Sequence, residues 1–223
     1  MKKRLLIPML FIGILFSSCV EIIDDLSFNL NGSGSLKYSI NLSSSKVKLN
    51  SILALDSLDG TKIPTREEIE VKIEEFKLKL ENQEGISNVE IESDFSNYLF
   101  KLKCNFESAE KLENGLKNVA ASFANKKDIE EFKHKVLTWE GNEIVRSIPE
   151  IIVNQAKKLK AEDIELLKQG NYTSITRFQK EIEKFDNPKA MLSKNKMAVM
   201  VKTDPYSLIN NAELLNNRIY LTK

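Results

Sequence analysis

The stretch Val20-Glu21-Ile22-Ile23-Asp24-Asp25-Leu26-Ser27-Phe28-Asn29-Leu30-Asn31-Gly32-Ser33-Gly34-Ser35-Leu36-Lys37-Tyr38-Ser39-Ile40-Asn41-Leu42 decides the fold. Val20, Ile22, Leu26, Phe28 and Leu30 share one parity, Asn31-Gly32-Ser33-Gly34 interrupts, and Leu36, Tyr38, Ile40 and Leu42 resume the alternation. Side chains of a strand alternate between its two faces, so this pattern across a glycine-rich tetrapeptide is a β-hairpin.

Downstream the grammar changes and then repeats. Ser43-Ser44-Ser45 offers N-caps for a short helix carrying Leu49, Ile52, Leu53 and reaching toward Leu58, with Asp59-Gly60 as its break. Pro64-Thr65-Arg66-Glu67-Glu68 opens a stronger helix, in which Ile69, Ile73, Phe76 and Leu80 form a stripe that Val71 and Leu78 widen, and Gly85 closes it. A second hairpin pairs a strand bearing Val89, Ile91 and Phe95 with one running from Tyr98 to Phe106, through Ser96-Asn97. Ser108 then caps a helix whose apolar side is Leu112, Leu116, Val119, Ala120 and Phe123. Hairpin-then-helix thus occurs twice.

Beyond Asn125 the signal is less regular. A short helix from Asp128, strands over Val136–Trp139 and Ile144–Ile148, and a helix from Pro149 to Gly170 are expected. Residues 172–185 fit both helix and strand spacing. A closing hairpin, Ala190–Leu192 with Met197–Lys202, a short helix at Asp204-Pro205 and a last strand at Ile219–Leu221 complete the chain. The fold class is α+β: an antiparallel sheet built from hairpins, with amphipathic helices packed on it.

Upstream of the hairpin lies a processing signal. Met1-Lys2-Lys3-Arg4 is a basic start, Leu5 to Phe16 is apolar, and Ser17-Ser18 precede Cys19. The apolar run is shorter than the roughly 20 residues a spanning helix needs. Small residues directly before a cysteine resemble the lipobox of bacterial lipoproteins, which implies that Cys19 receives acyl chains and becomes the first mature residue. Residues 1–18 are then a signal peptide and 19–223 a lipid-anchored α+β domain, with hairpin–helix repeats over 19–125 and a less regular section over 126–223. Cys104 is left as the only other cysteine, so the body must be held by a core rather than a disulfide; its place in an alternating strand marks it as core.

The lipobox cysteine, the strand behind it and the Asn31-Gly32-Ser33-Gly34 turn resemble the start of LppM-like domain lipoproteins and related envelope lipoproteins of Bacteroidetes type. The later stretches Asn171-Tyr172-Thr173-Ser174-Ile175-Thr176-Arg177-Phe178, Lys184-Phe185-Asp186-Asn187 and Ala190-Met191-Leu192-Ser193 are similar to a late strand segment of that family. The resemblance implies an α+β domain with no known enzymatic activity, a strand over Tyr172–Phe178 and, in the mycobacterial branch, a suspected role in binding lipid-like molecules.

Composition excludes several classes. Lys+Arg (33) nearly balance Asp+Glu (32), hydrophobic residues make up 42% and charged residues 29%, which fits neither a disordered tail nor a polytopic membrane protein. Without a basic excess there is no electrostatic footprint for nucleic acid. Losing Lys2, Lys3 and Arg4 leaves 30 basic against 32 acidic residues, so the mature chain has no charge-driven reason to sit on anionic lipid.

Chemistry is sparse. His134 is the only histidine and lies in a charged stretch, and the chain holds no Gly-x-Ser-x-Gly elbow, no phosphate-binding glycine loop and no zinc-type spacing. Asp24, Asp25 and Asp94 are too scattered for a calcium loop. The glutamates of the 66–81 helix read as a solvated face with partners such as Glu68–Lys72 and Glu75–Lys79. No catalytic, metal or cofactor residues are expected, and Cys19 is the one site residue. The expected function is an envelope lipoprotein, anchored through Cys19, that binds a protein or lipid partner at the membrane surface. Val20, rather than aspartate, after the cysteine favours the outer membrane. Two alternatives remain: a carrier using an apolar pocket beneath the strand aromatics Tyr38, Tyr98, Phe100, Phe106 and Trp139, and a hydrolase with paired carboxylates.

Overall fold

The computed structural model describes residues 20–58, 60–124, 135–147, 154 and 167–223. Cys19 and the signal segment, Asp59, His134, the helix expected from Asp128 and nearly all of the helix expected from Pro149 lie outside these residues.

In chain order, β1 (Glu21–Phe28) and β2 (Gly34–Asn41) form the first hairpin. A 3-10 turn (Ser43–Ser45), α1 (Lys46–Leu53) and a small ribbon of β3 (Ser57–Leu58) and β4 (Thr61–Lys62) lead to α2 (Arg66–Glu81). Next come β5 (Ile86–Asp94), β6 (Leu99–Phe106), α3 (Ala109–Phe123), β7 (Leu137–Glu140) and β8 (Glu143–Arg146). A 3-10 turn (Leu167–Gln169) precedes β9 (Asn171–Phe178), β10 (Ile182–Phe185), β11 (Met191–Leu192), β12 (Ala198–Thr203), α4 (Pro205–Asn210) and β13 (Asn217–Leu221). The α+β architecture follows, and Tyr172–Phe178 is a strand. The short helix does not reach Leu58, which belongs to β3.

Two sheets share the core. The larger runs β11-β12-β9-β1-β2-β6-β5 and the smaller β10-β13-β8-β7. Antiparallel pairing dominates, with one departure from the all-antiparallel expectation: β1 and β9 are parallel, Glu21 facing Asn171 and Phe28 facing Phe178. A parallel pair requires a crossover rather than a tight turn, and here about 140 residues intervene between the two strands.

One face of the large sheet is covered. Leu26, Phe28, Leu36, Cys104, Phe106, Phe178 and Val199 point inward and are buried, as the alternation dictates. Against them pack Leu80 of α2, Leu112 and Val119 of α3, and Leu137, Ile144 and Ile219 of the small sheet. The opposite face carries ion pairs: Lys101–Glu92 (2.8 Å), Lys103–Glu90 (3.3 Å) and Arg177–Asp25 (3.0 Å).

Local chemistry fixes the element ends. Thr65 accepts from the Glu68 N–H while Glu68 accepts from the Thr65 N–H, a full capping box. Glu68 makes its close ion pair with Lys62 (2.5 Å), with the Lys72 charge acting on it as well, and Glu75–Lys79 forms at 3.4 Å. Ser108 and Asp204 cap α3 and α4 by accepting from the Lys111 and Ser207 amides. Gly34 has no substitute: a Cβ there would meet the Ser27 carbonyl oxygen at 2.0 Å and the Phe106 ring at 2.6 Å. Tyr98, expected in the strand, instead closes the β5–β6 turn at φ +54°, held by Asp94, which accepts from the amides of Ser96 (2.8 Å) and Asn97 (3.0 Å). Left-handed backbone is uncommon for an aromatic residue; burial of the Tyr98 ring accompanies it here.

Candidate functional site

The strand aromatics divide. Phe28 sits at the centre of a ring cluster, 4.9 Å from Trp139, 5.4 Å from Phe106 and 5.7 Å from Phe178. These distances are those of direct aromatic packing, so Phe106 and Trp139 each rest against the Phe28 ring. Phe100 packs edge-on against Phe95 at 5.3 Å. Cys104 is buried beside this cluster, and burial pushes its thiol pKa up to about 11, which keeps it an unreactive thiol at neutral pH.

Further along the inward face the apolar surface gives way to a polar inset. Asp24 occupies the same parity as Leu26 and Phe28, and Arg146 of β8 meets it with Nη2. Nη1 of Arg146 donates to the Ile175 carbonyl and to Thr176 Oγ1, both at 3.0 Å. Tyr172 donates its hydroxyl to Asp24 at 3.2 Å, and Tyr38 stands opposite Asp24 across the β1–β2 rung. Burial, then the Asp24 charge, pushes the Tyr38 hydroxyl up to about 12; the same causes raise Tyr172. Two un-ionised tyrosines and a guanidinium around one carboxylate form a clamp between the sheets. Among the described residues no buried side-chain polar atom lacks a partner.

A cavity of about 660 Å³ opens at the far end of the sheet, between the β1–β2 turn, the start of α3 and β7. Its lining is mixed: Leu30 and Trp139 are apolar, Glu110, Glu113 and Glu140 acidic, and Lys117 and Lys135 basic. Glu113, buried, accepts from the Val136 N–H (2.8 Å) and pairs with Lys117 (2.5 Å). Of the strand aromatics, Phe106 packs into the ring cluster, while Trp139 both touches that cluster and lines this charged-rimmed cavity.

Sequence reading named Asp24 without its role and passed over Glu113. A signal existed for both: Asp24 interrupts the inward parity Ile22–Leu26–Phe28, and Glu113 adjoins Leu112 on the apolar side of α3. Asp24 and Asp25 point to opposite faces, the latter to Arg177. Among the described residues no three His, Cys, Asp or Glu side chains cluster at metal-binding range, and no helix is long and apolar enough to cross a membrane.

No protein-family model matches the sequence, and comparison with curated proteins finds no match. Among solved structures, the NMR structure of the folded domain of Mycobacterium tuberculosis LppM aligns with 92% of this chain and 89% of that one, at 10% identity and a TM-score of 0.42. At that identity and score the likeness says nothing of ligand or activity.

Proposed function

We propose that this protein is a lipid-anchored envelope protein without catalytic activity that holds a protein or lipid partner near the membrane. The observation that carries the reading is the join between anchor and body. Val20, the residue after Cys19, accepts from the Asn171 amide at 2.7 Å, and Glu21 already pairs with Asn41 and Asn171. An acylated Cys19 would thus be separated by one residue from a strand in the middle of the large sheet. The eight residues of β1 then carry the chain roughly 25 Å to the end where the charged-rim cavity opens. A partner meeting that cavity would do so away from the lipid. Val20 in the place of a retention aspartate supports the outer membrane within this reading.

The test is acyl labelling with fractionation. Wild type is expected to be labelled, membrane-bound and to begin at Cys19, whereas Cys19→Ala is expected to accumulate as the unlabelled 223-residue precursor. Labelled, membrane-bound protein from Cys19→Ala would overturn the reading.

A further inference from the structure

The segment between β2 and α2 is unlike the rest of the molecule: none of its described residues from Leu42 to Thr65 is buried. Yet it is not polar. Val47 is 72% exposed, Leu55 45% and Leu58 40%, with Leu49, Ile52, Leu53 and Ile63 only partly covered. Apolar groups gathered on one surface excursion, rather than scattered singly, mark an interaction surface.

Its position says what covers it. The segment departs where the Leu42 amide donates to the Tyr98 carbonyl (3.0 Å) and returns where the Arg66 guanidinium lies over the Phe95 ring at 5.0 Å. Both points are at the end of the sheet where β1 begins, because Glu21 pairs with Asn41 and Asn41 with Leu99. Paired strands are about 5 Å apart and consecutive Cα atoms about 3.8 Å, so Val20, the residue next to Cys19 in the sequence, lies within about 10 Å of the root of the segment. Lys46 is exposed between the apolar residues, a long side chain that can keep its charge at a headgroup while its stem lies along acyl chains. The exposed Leu30 and Met197 sit at the other end of β1 and β9, where an anchor at Cys19 does not bring the bilayer.

We propose that residues 42–58, with 60–65, are the bilayer-facing surface of this protein, seating Val47, Leu55 and Leu58 in the lipid interface beside the acyl chains on Cys19. The proposal rests on the lipid-anchor reading above. Three apolar side chains would give little affinity alone; tethering makes their insertion an intramolecular step and suffices to orient the body. The anchor then holds the protein at the membrane and the segment sets its tilt, directing the far cavity into the aqueous space.

The experiment uses full-length lipidated protein in phosphatidylethanolamine–phosphatidylglycerol vesicles whose acyl chains are brominated, with tryptophan fluorescence as readout. Leu58→Trp and Val47→Trp are at exposed positions that the fold tolerates, Leu30→Trp is the control at the opposite end, and the native Trp139 supplies the baseline. The added emission of Leu58→Trp and Val47→Trp is expected to fall by at least half relative to unbrominated vesicles and to shift to the blue, while that of Leu30→Trp stays unquenched. Protein that floats with vesicles but shows Leu58→Trp and Val47→Trp emission unquenched, like Leu30→Trp, would overturn the proposal while leaving the anchor intact. Protein that fails to float would remove the anchor and the proposal together.

Discussion

The two hairpin–helix units share a sequence pattern and end differently. After β6 the chain emerges at the far end of the sheet, Ser108 caps α3, and the helix folds back to bury Ala109, Leu112, Glu113, Gly115 and Val119. After β2 the chain emerges at the end of the sheet where β1 begins, and no residue of α1 is buried. Both helices carry apolar residues; what separates them is the surface available to each. For α3 a sheet face is free, and Gly115 lets the helix close on Gln83 and Ile86, where a Cβ would come within 3.2 Å of both. α1 instead meets the sheet at its end, where Tyr98 donates its hydroxyl to Asn50. The same contrast runs along β1, which is held by rings around Phe28 at one end and by charge at Asp24 toward the other.

That contrast can be broken by substitution. Phe28→Ala empties the ring cluster and is expected to cost about 3–5 kcal/mol, read by denaturant unfolding; a loss under about 1 kcal/mol would mean that the rings do not form the core. Arg146→Ala leaves Asp24 charged and poorly solvated, with an expected cost of about 3 kcal/mol. The double change Asp24→Leu with Arg146→Met removes both charges and is expected to recover most of that loss; if it were no better than Arg146→Ala, the clamp would be more than charge compensation. A smaller effect distinguishes the polar end by pH. Because folding raises the Tyr38 hydroxyl from its ordinary value near 10 to about 12, the unfolded chain loses this proton first. Stability from this group is full below pH 10 and declines as pH rises from there to about 12. Tyr38→Phe is expected to flatten that part of the alkaline stability profile, and an unchanged slope would refute the assignment. At the bottom of the scale, Val47→Ser in α1 is expected to change stability by less than about 0.5 kcal/mol.

The strands and caps were legible because their causes are local. Alternation placed Leu26, Phe28, Leu36, Cys104 and Phe106 on the buried face, and Ser108, Thr65-Arg66-Glu67-Glu68 and Asp204-Pro205 announced their helices. What escaped is long-range. The parallel β1–β9 pairing joins strands about 140 residues apart, and nothing in either strand's own pattern chooses between a parallel and an antiparallel neighbour. Asp24 and Arg146 are 122 positions apart, so the charge at an inward parity position was visible while its partner was not. The aromatics read as candidates for a pocket because periodicity reports which face a ring is on and not what fills the space against it. Leu49, Ile52 and Leu53 read as the buried side of a helix for the same reason: a stripe of apolar residues calls for a covering surface without saying that the protein itself provides it.

The central place of β1 in the large sheet also determines how the body bears load. Tension arriving at Val20 is directed along β1, whose eight residues are paired with β2 on one side and β9 on the other. Ladder hydrogen bonds between antiparallel strands run across the strand direction. A pull applied at Val20 therefore shears the antiparallel β1–β2 ladder while the slanted bonds of the parallel β1–β9 ladder share the force, instead of unzipping an edge strand one rung at a time.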